Sequence, residues 1–312
     1  MKVGTLLHPE RGVDFVFEEA RQADNQGYDS IWLGDHLMSG RGSWRGPDGP
    51  TGPLDAFTMM SAIGAMTHRT RLAWSMLNVS FRYPSMLAKV LATLDVITKG
   101  RVICTLGSGS FPGEYEAYNI PLPEDHDARV GYTREVVMLL KELWSNPAPK
   151  TTTFTGKYVQ VKDLPFNPEP YQKPSIPIWI GGESEPTLQI VKDLADGWVT
   201  LTRSSNTQSE RGDASDPLLK ITTAPDWPKR DMTVVRQVRL FVAETKEQAW
   251  ADARQSLGEK AGEQSHEIIG TPDECLEQID QQAKVGVNYL RVTFDDLAQQ
   301  ERVARLLLPR LS

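Results

Sequence analysis

Cysteine is scarce in this sequence, with Cys104 and Cys275 as the two examples among 312 residues. Neither has the spacing of a metal-ligand motif, and two thiols do not make the framework of a disulfide-rich fold. So few cysteines in a chain of this length are typical of a reducing compartment, and we expect a cytoplasmic protein. The apolar stretch at residues 3–7 is soon broken by His8 and Pro9, so it is too short for a signal peptide.

Long hydrophobic runs and an excess of one charge are also absent. No segment is apolar over the length needed to cross a bilayer, so we expect no membrane-spanning helix. The 34 basic and 41 acidic residues are interspersed and give a net charge of −7, so nothing indicates a nucleic-acid or membrane-surface partner. Hydrophobic residues make up 39% of the chain, which is enough for a large core and excludes general disorder.

Short apolar runs alternate with amphipathic helical segments along the whole chain. Apolar runs bounded by glycine or polar residues predict strands at 2–7, 30–36, 71–77, 102–106, 176–180, 197–201, 234–243 and 289–294. Apolar periodicity predicts helices at 13–26, 54–66, 84–98, 132–144, 186–193, 246–257, 271–285 and 297–311. About eight strands that alternate with helices predict a parallel (β/α)8 TIM barrel with insertions, in which residues 1–312 form a single domain.

Three segments depart from this alternation. Residues 146–177 carry many prolines and a predicted hairpin at 152–161 with Gly156 at its turn, so we interpret them as an insertion on one barrel element. Residues 202–231 are polar and interrupted by prolines, and a loop of this length is typical of a lid or of a partly disordered segment. The segment 40–52, rich in glycine and arginine, is long enough to cover a site.

Polar residues and glycines cluster where the predicted strands end. In a TIM barrel the active site lies at the carboxyl ends of the strands, so these residues are the site candidates. They are His8 after the first strand, Asp35 and His36 at the second, Ser75, Met76 and Asn78 at the third, Gly107, Ser108 and Gly109 at the fourth, and Gly181 and Gly182 at the fifth. Histidines, a carboxylate and glycine turns on one rim suit a phosphate-bearing ligand beside an acid/base residue. We predict that His36 and Asp35 are catalytic and that the other nine candidates bind the ligand.

The turn at residues 107–109 is the candidate phosphate site. Gly107 and Gly109 allow backbone N–H groups to approach an anion, and Ser108 adds a hydroxyl donor. A Rossmann motif is excluded because the third glycine is missing and Ser110, Phe111 and Pro112 follow without a helix that opens at once.

A metal site is not predicted. Neighbours on a strand point to opposite sides, so Asp35 and His36 are poorly placed to bind one ion, and the sequence has no HExxH motif. A serine nucleophile also lacks its G-x-S-x-G elbow.

Six segments in order along the chain resemble the luciferase-like flavin-dependent oxidoreductases, the superfamily of bacterial luciferase, flavin monooxygenases and F420-dependent enzymes. They are GYDSIWLGDH (27–36), FRYP (81–84), GRVICTLGSG (100–109), FTGKY (154–158), PYQKPSIPIWIGG (170–182) and GTP (270–272). The fold of that family is the barrel predicted above.

The resemblance implies a reduced FMN or coenzyme F420 across the mouth of the barrel and no metal. It implies that Gly107, Ser108 and Gly109 hold the cofactor phosphate near residues 181–182, and that His36 faces the ring. It implies a non-prolyl cis peptide at the end of the third strand, which alignment on FRYP assigns to Ser75 and Met76. It also implies a small-molecule substrate and a homodimer formed through outer helices.

Two chemistries fit this resemblance. A monooxygenase would use reduced FMN and oxygen with a separate flavin or F420 reductase as partner, whereas an F420 enzyme would transfer a hydride between deazaflavin C5 and its substrate. The Asp35-His36 pair and FRYP resemble the F420 branch. In the sugar-phosphate dehydrogenases of that branch a glutamate stands where this chain has Ser110, and their tryptophan is displaced here to Trp44. Between these two chemistries, the sequence narrowly favours the monooxygenase, which is the broader description of the family.

For three residues a purely structural role is an alternative to a role in the site. Asp35 could anchor a loop, His8 could turn the chain before Pro9, and Arg82 could pair with an acid or hold a phosphate. For the whole protein, a flavin-binding protein without turnover is a further alternative, and a metal-dependent barrel hydrolase is a remote one.

Overall fold

Strands and helices alternate along the chain in the computed structural model, which describes residues 1–38, 53–109, 111–123, 125–200, 217–228, 230–262 and 266–311. The strands are β1 (Lys2–Leu6), β2 (Ser30–Leu33), β3 (Arg71–Trp74), β4 (Leu77–Asn78), β5 (Cys104–Gly107), β6 (Thr151–Thr155), β7 (Gln160–Pro165), β8 (Ile178–Gly181), β9 (Gly197–Val199), β10 (Thr233–Val242), β11 (Glu267–Gly270) and β12 (Tyr289–Thr293). The helices are α1 (Val13–Gln26), α2 (Ala56–Met66), α3 (Pro84–Ile97), α4 (Pro112–Ala117), α5 (His126–Ser145), α6 (Glu185–Leu194), α7 (Pro217–Thr222), α8 (Lys246–Leu257), α9 (Pro272–Lys284) and α10 (Leu297–Leu306).

The parallel strands form a nearly closed barrel. Their order is β3-β2-β1-β12-β10-β9-β8-β5-β4, and β11 pairs with β10. A parallel bridge between Leu72 and Val102 connects β3 to the residues that precede β5, and Ile103 N donates to Leu72 O at 2.8 Å. The predicted TIM barrel is therefore confirmed, with its strand carboxyl ends on one rim.

Aromatic rings fill the interior of the barrel below that rim. Trp32, Trp179 and Tyr289 are almost fully buried, and their ring centroids lie 5.5 to 6.3 Å apart. A hydrogen-bonded chain runs from Trp32 Nε1 to Ser30 Oγ at 2.5 Å, and Ser30 Oγ lies 2.6 Å from the Tyr289 hydroxyl. This layer packs the barrel interior, as the fold requires.

The predicted hairpin is present as the antiparallel pair β6 and β7. Glu135 of α5 holds its turn, because its carboxylate accepts hydrogen bonds from the N–H groups of Lys157, Tyr158 and Val159 at 2.7 to 2.8 Å. The hairpin is thus fastened to the barrel's outer helix by a charged acceptor.

Several predicted boundaries are wrong. The second strand ends at Leu33, so Asp35 and His36 lie in the loop that follows. Helix α7 lies inside the segment 202–231, where no element was predicted, and β11 was not predicted either. The segment 40–52 and residues 202–216 lie outside the described residues.

Candidate active site

A cavity of about 1090 Å³ opens at the strand carboxyl ends within the described part of the chain. Its size is at the upper end for small-molecule sites and gives room for a cofactor and a substrate. The structure brings together ten of the eleven candidates as lining residues: Asp35, His36, Ser75, Met76, Asn78, Gly107, Ser108, Gly109, Gly181 and Gly182.

His8 is the candidate that the structure does not bring to this lining. Its carbonyl accepts from Arg11 N at 3.0 Å at the start of a short 3-10 turn. This geometry favours the alternative in which His8 turns the chain after β1.

Glu114 contacts the imidazole of His36. Both carboxylate oxygens lie 3.2 Å from Nδ1, and Oε1 also accepts from Leu37 N at 2.7 Å and Met38 N at 3.3 Å. The carboxylate is 2% exposed, whereas the His36 side chain is 39% exposed. The contact with Glu114 therefore uses Nδ1, and Nε2 lies on the opposite side of the ring.

Local sequence explains how Glu114 reaches this position. Pro112 occupies the first turn of α4, where a missing N–H is harmless, and Glu114 lies in the same turn. In the sugar-phosphate dehydrogenases that the sequence resembles, a glutamate stands where this chain has Ser110, which lies outside the described residues. In this chain Glu114, four positions later, supplies a carboxylate to the site.

Asp35 forms a buried ion pair with Arg82. The guanidinium is bidentate, with Nη1 to Oδ2 at 2.7 Å and Nη2 to Oδ1 at 2.9 Å, and Asn78 N donates to Oδ2 at 3.0 Å. Burial opposes the charge of Arg82, but Asp35 and the outer carboxylate of Asp55 raise its pKa. These contacts favour an anchoring role for Asp35, and the predicted catalytic role stays a prediction.

The peptide between Ser75 and Met76 is cis, as the alignment on FRYP predicted. Glycines make room for the Met76 side chain, because a Cβ on Gly181 would lie 1.5 Å from Met76 Sδ and one on Gly107 would lie 3.5 Å from Met76 Cε. Close approach of Met76 therefore explains Gly181.

The turn at Gly109 fits an anion. Gly109 has φ +79°, and a Cβ there would lie 1.8 Å from the hydroxyl of Tyr115, which donates to Asn78 Oδ1 at 2.8 Å. The N–H groups of Ser108 and Gly109 donate no hydrogen bond to the described part of the chain. Two adjacent donors at a cavity wall suit a phosphate oxygen.

In the second glycine pair, Gly181 and Gly182, at least one backbone N–H already donates a hydrogen bond within the protein. Gly182 N donates to Val199 O at 3.3 Å, so this residue offers less to a phosphate than the first turn. Ser184 and Thr187 also line the cavity at the start of α6, with their hydroxyl oxygens 2.8 Å apart.

Sequence reasoning missed a polar wall on the inner face of β10 and β12. Gln237, Arg239 and Arg291 line the cavity, and Gln237 pairs in register with Arg291. Polar side chains at alternate positions within buried strands were the signal that could have found them. His126, Arg129 and His266, to which the sequence gave no role, also line the cavity.

No cluster of three or more histidine, cysteine or acidic side chains suited to a metal occurs among the described residues. None of the helices in the described ranges is long and apolar enough to cross a membrane.

The model of the luciferase-like monooxygenase family matches residues 1–267. The chain belongs to this family. It is 34% identical over 179 residues to F420-dependent glucose-6-phosphate dehydrogenase of Microbacterium testaceum, an alignment that covers 57% of this chain and 49% of that protein. It is 26% identical over 212 residues to pyrimidine monooxygenase RutA of Allorhizobium ampelinum, covering 66% and 56% of the two chains. The chain thus spans about half the length of the curated relatives it matches.

Solved structures of luciferase-like enzymes share the fold. Monooxygenase RslO1 from Streptomyces bottropensis aligns with a TM-score of 0.76 at 20% identity and covers all of both chains. The F420-dependent tetrahydromethanopterin reductase of Methanopyrus kandleri aligns with a TM-score of 0.76 at 18% identity, over 100% and 99% of the two chains.

Proposed function

We propose that this enzyme transfers a hydride between coenzyme F420 and an alcohol or carbonyl substrate. The observation that carries the proposal is the contact between His36 Nδ1 and the buried Glu114 carboxylate. A carboxylate at one ring nitrogen fixes the ring and stabilises its cation, which makes the other nitrogen an effective acid and base. Relatives named as F420-dependent dehydrogenases support the choice of cofactor.

The described residues fit such a cofactor. The N–H groups of Ser108 and Gly109 would hold its phosphate, and Ser75 and Met76 would support its ring beside His36. Hydroxyls of Ser184 and Thr187 offer further donors at the cavity wall. When bound, the cofactor supplies the acceptor or donor of the hydride.

The chain's own part in the reaction is the movement of a proton. In the oxidation of an alcohol, His36 Nε2 takes the hydroxyl proton, while Glu114 balances the positive charge that the ring gains. In the reduction of a carbonyl, the same nitrogen donates the proton to the oxygen. Arg82 holds Asp35, and Asp35 in turn holds Asn78 N, so this ion pair keeps the loops around the site in position.

A titration of tryptophan fluorescence tests the cofactor, because eight tryptophans give the signal. We expect F420 to saturate the protein at lower concentration than FMN. His36→Asn should keep F420 affinity within about twofold and lower turnover of alcohols by roughly 100-fold or more. His68→Asn, at an exposed position, is the matched control. Binding of reduced FMN alone, with oxygen consumption, would exclude hydride transfer by F420.

A monooxygenase that uses reduced FMN and oxygen, which the sequence favoured, is the second candidate. The similarity to RutA over 66% of this chain favours it. Oxygen chemistry on a flavin needs a site that excludes water, and charged or polar residues outnumber apolar ones in the described lining. For that reason we rank hydride transfer first. A separate reductase belongs to this second candidate, and loss of oxygen-dependent turnover without one would support it.

We also propose a homodimer and a reducing compartment such as the cytoplasm. Large apolar side chains are exposed at the N-cap of α3 and along it, namely Tyr83, Met86 and Ile97, and the small Ala62 and Ala65 of α2 are also exposed. Two copies related by a twofold axis could therefore pack the large side chains of one copy against the small ones of the other. Met86→Lys should then shift the mass in light scattering to the monomer. A lysine at the exposed Met138 of α5 should not. The two free and buried cysteines support a reducing compartment.

A further inference from the structure

The hydroxyl of Tyr115 lies behind the turn at Gly109. Tyr115 belongs to α4, and it is 2% exposed. Its hydroxyl lies 1.8 Å from the position that a Cβ on Gly109 would take, and it donates to Asn78 Oδ1 at 2.8 Å. Phe81 packs against the Tyr115 ring, with the two ring centroids 5.3 Å apart. The buried hydroxyl is therefore held between the turn and the side chain of Asn78.

The orientation of the Asn78 amide follows from its hydrogen bonds. Ser80 N donates to Asn78 Oδ1 at 3.1 Å. A backbone N–H can only donate, so the end of the amide that faces it is the oxygen and not the nitrogen. The Tyr115 hydroxyl gives the same oxygen a second donor. The backbone of Asn78 is also fixed, because its N–H donates to Asp35 Oδ2 at 3.0 Å.

The other end of this amide is a donor on the cavity side. Asn78 is 8% exposed and lines the cavity together with Ser108 and Gly109. Its Nδ2 lies 2.8 Å from the position of a Cβ on Gly109, and it donates no hydrogen bond to the part of the chain that the structure describes. A buried donor without an acceptor costs free energy, so a ligand that supplies an acceptor oxygen here is bound more tightly.

We propose that the NH2 group of Asn78 donates to the cofactor phosphate beside the N–H groups of Ser108 and Gly109, and that Tyr115 is the positioning residue that directs it there. The inference rests on the proposed function, but F420 and FMN both carry a phosphate, so it holds for either cofactor. Three N–H donors in one wall match the several acceptor oxygens of a phosphate. A side chain at position 109 would displace the Tyr115 hydroxyl, which explains the glycine.

Helix α4 then orients two parts of the site through neighbouring residues. Glu114 contacts His36, and Tyr115 contacts Asn78. Neighbouring residues on a helix point in different directions, so the first reaches the loop after β2 and the second reaches the end of β4. Loss of the Tyr115 hydroxyl should therefore weaken phosphate binding and leave the acid/base group in place.

The experiment compares ligands with and without the phosphate, which separates its contribution from that of the ring. Fluorescence titration gives the Kd values of FMN and riboflavin, and of F420 and the same deazaflavin with its ribityl chain but no phosphate. We expect the wild-type protein to bind the phosphate-bearing ligand roughly 100-fold more tightly. Tyr115→Phe should lower this preference roughly tenfold. Asn78→Asp, which puts a carboxylate oxygen in place of the NH2 group, should abolish it, because like charges repel.

Tyr28→Phe is the matched control. Tyr28 is also 2% exposed, and its hydroxyl donates to Gln300 O at 2.7 Å, but it does not line the cavity. Loss of this buried hydroxyl should affect stability as Tyr115→Phe does. The preference for the phosphate should stay within about twofold of the wild-type value, because Tyr28 is remote from the turn.

The outcomes separate this inference from the proposed function. A preference that survives in both Tyr115→Phe and Asn78→Asp overturns the inference and leaves hydride transfer intact. A preference lost in Asn78→Asp alone rejects Tyr115 as the positioning residue. Equal weakening of the phosphate-bearing and phosphate-free ligands also overturns the inference, because Asn78 would then support the ring or the fold.

The choice of cofactor is read from the same titrations. A preference for FMN over riboflavin that depends on Asn78 and Tyr115, without binding of F420, supports the inference and rejects F420. The wild-type protein decides if the variants do not fold: equal Kd values within each pair, or no binding of any of the four ligands, contradict the inference.

Discussion

His36 and Glu114 lie 78 positions apart in the chain, and both carboxylate oxygens of Glu114 lie 3.2 Å from the Nδ1 of His36. The same carboxylate accepts from the two N–H groups that follow the histidine. The buried Glu114 carboxylate therefore holds the loop after β2 in position and orients the His36 imidazole. It also places a negative charge beside Nδ1 of that ring.

Substitution of Glu114 by glutamine tests this arrangement. The amide oxygen can still accept from Leu37 N, but the negative charge that stabilises the His36 cation is lost. We expect kcat to fall by roughly 10- to 1000-fold while cofactor affinity changes little. Steady-state kinetics and fluorescence titration measure the two quantities.

Glu116→Gln is the matched control, since Glu116 lies on the exposed side of the same helix. Equal kcat values for the two variants would show that Glu114 has a structural role alone. A thermal melt of each variant separates loss of activity from loss of fold.

The barrel and the candidate rim could be predicted because they depend on local patterns, and the cis peptide because the resemblance to the luciferase-like family implies it. Apolar runs of five or more residues predict strands such as β10 and β12 to within one residue at most ends, and FRYP sets the alignment that assigns Ser75 and Met76. Parallel topology then requires that the strand carboxyl ends share one rim.

Glu114, α7 and β11 could not be predicted in the same way. Helix α4 has six residues, fewer than two turns, so no helical period is visible in its sequence. Strand β11 has four residues and ends in glycine, a pattern that a loop shares. The contact of Glu114 with His36 depends on tertiary packing of α4 against the loop after β2. The family resemblance aligns its glutamate with Ser110, four positions before Glu114.

Asp35 and Arg82 provide the second prediction. Asp35→Asn leaves the buried guanidinium without its bidentate partner, so we expect a loss of about 3 kcal/mol in the free energy of unfolding, measured in urea. If the pair anchors loops, the double variant Asp35→Asn with Arg82→Gln should recover part of this loss. Recovery of stability without recovery of turnover would instead support the predicted catalytic role of Asp35.

Asp55→Asn is the control for this pair. Asp55 is the outer partner of Arg82 at 3.4 Å, and its side chain is 51% exposed. It also caps α2 by accepting from Thr58 N at 2.8 Å. Asparagine caps helices as well as aspartate does, so we expect a change below about 1 kcal/mol.

Gly181 and Met76 provide the third prediction. A methyl group on Gly181 would meet Met76 Sδ at 1.5 Å, so Gly181→Ala should lower the free energy of unfolding by about 1 to 3 kcal/mol. Adding Met76→Ala should relieve the clash and make the combined effect smaller than the sum of the two single effects. Gly107→Ala is the control for stability, because its new methyl group would lie 3.5 Å from Met76 Cε, an ordinary van der Waals contact. Additive effects of the two substitutions would contradict the packing explanation for Gly181.

Asp29 provides the last prediction, at the opposite end of the barrel from the cavity. Burial alone would raise its pKa, but Arg71, the Tyr289 hydroxyl and Lys2 outweigh this effect and lower the pKa below its usual value. Arg71 Nε donates to Asp29 Oδ2 at 3.0 Å, and the Tyr289 hydroxyl donates to the same oxygen at 2.5 Å.

A carboxyl group whose pKa is lower in the folded state stabilises the protein above its unfolded pKa of about 3.9. That contribution disappears as the pH falls through the lower folded pKa. Asp29→Asn should therefore lower the free energy of unfolding by about 2 kcal/mol at pH 7, and the difference from wild type should shrink as the pH falls below about 4. Asp14→Asn, at an exposed carboxylate of α1, should give a small difference at every pH. A difference for Asp29→Asn that stays constant between pH 7 and pH 3 would mean that its charge does not stabilise the fold, and that the hydrogen-bonded chain from Tyr289 to Trp32 needs an acceptor at this position but no charge.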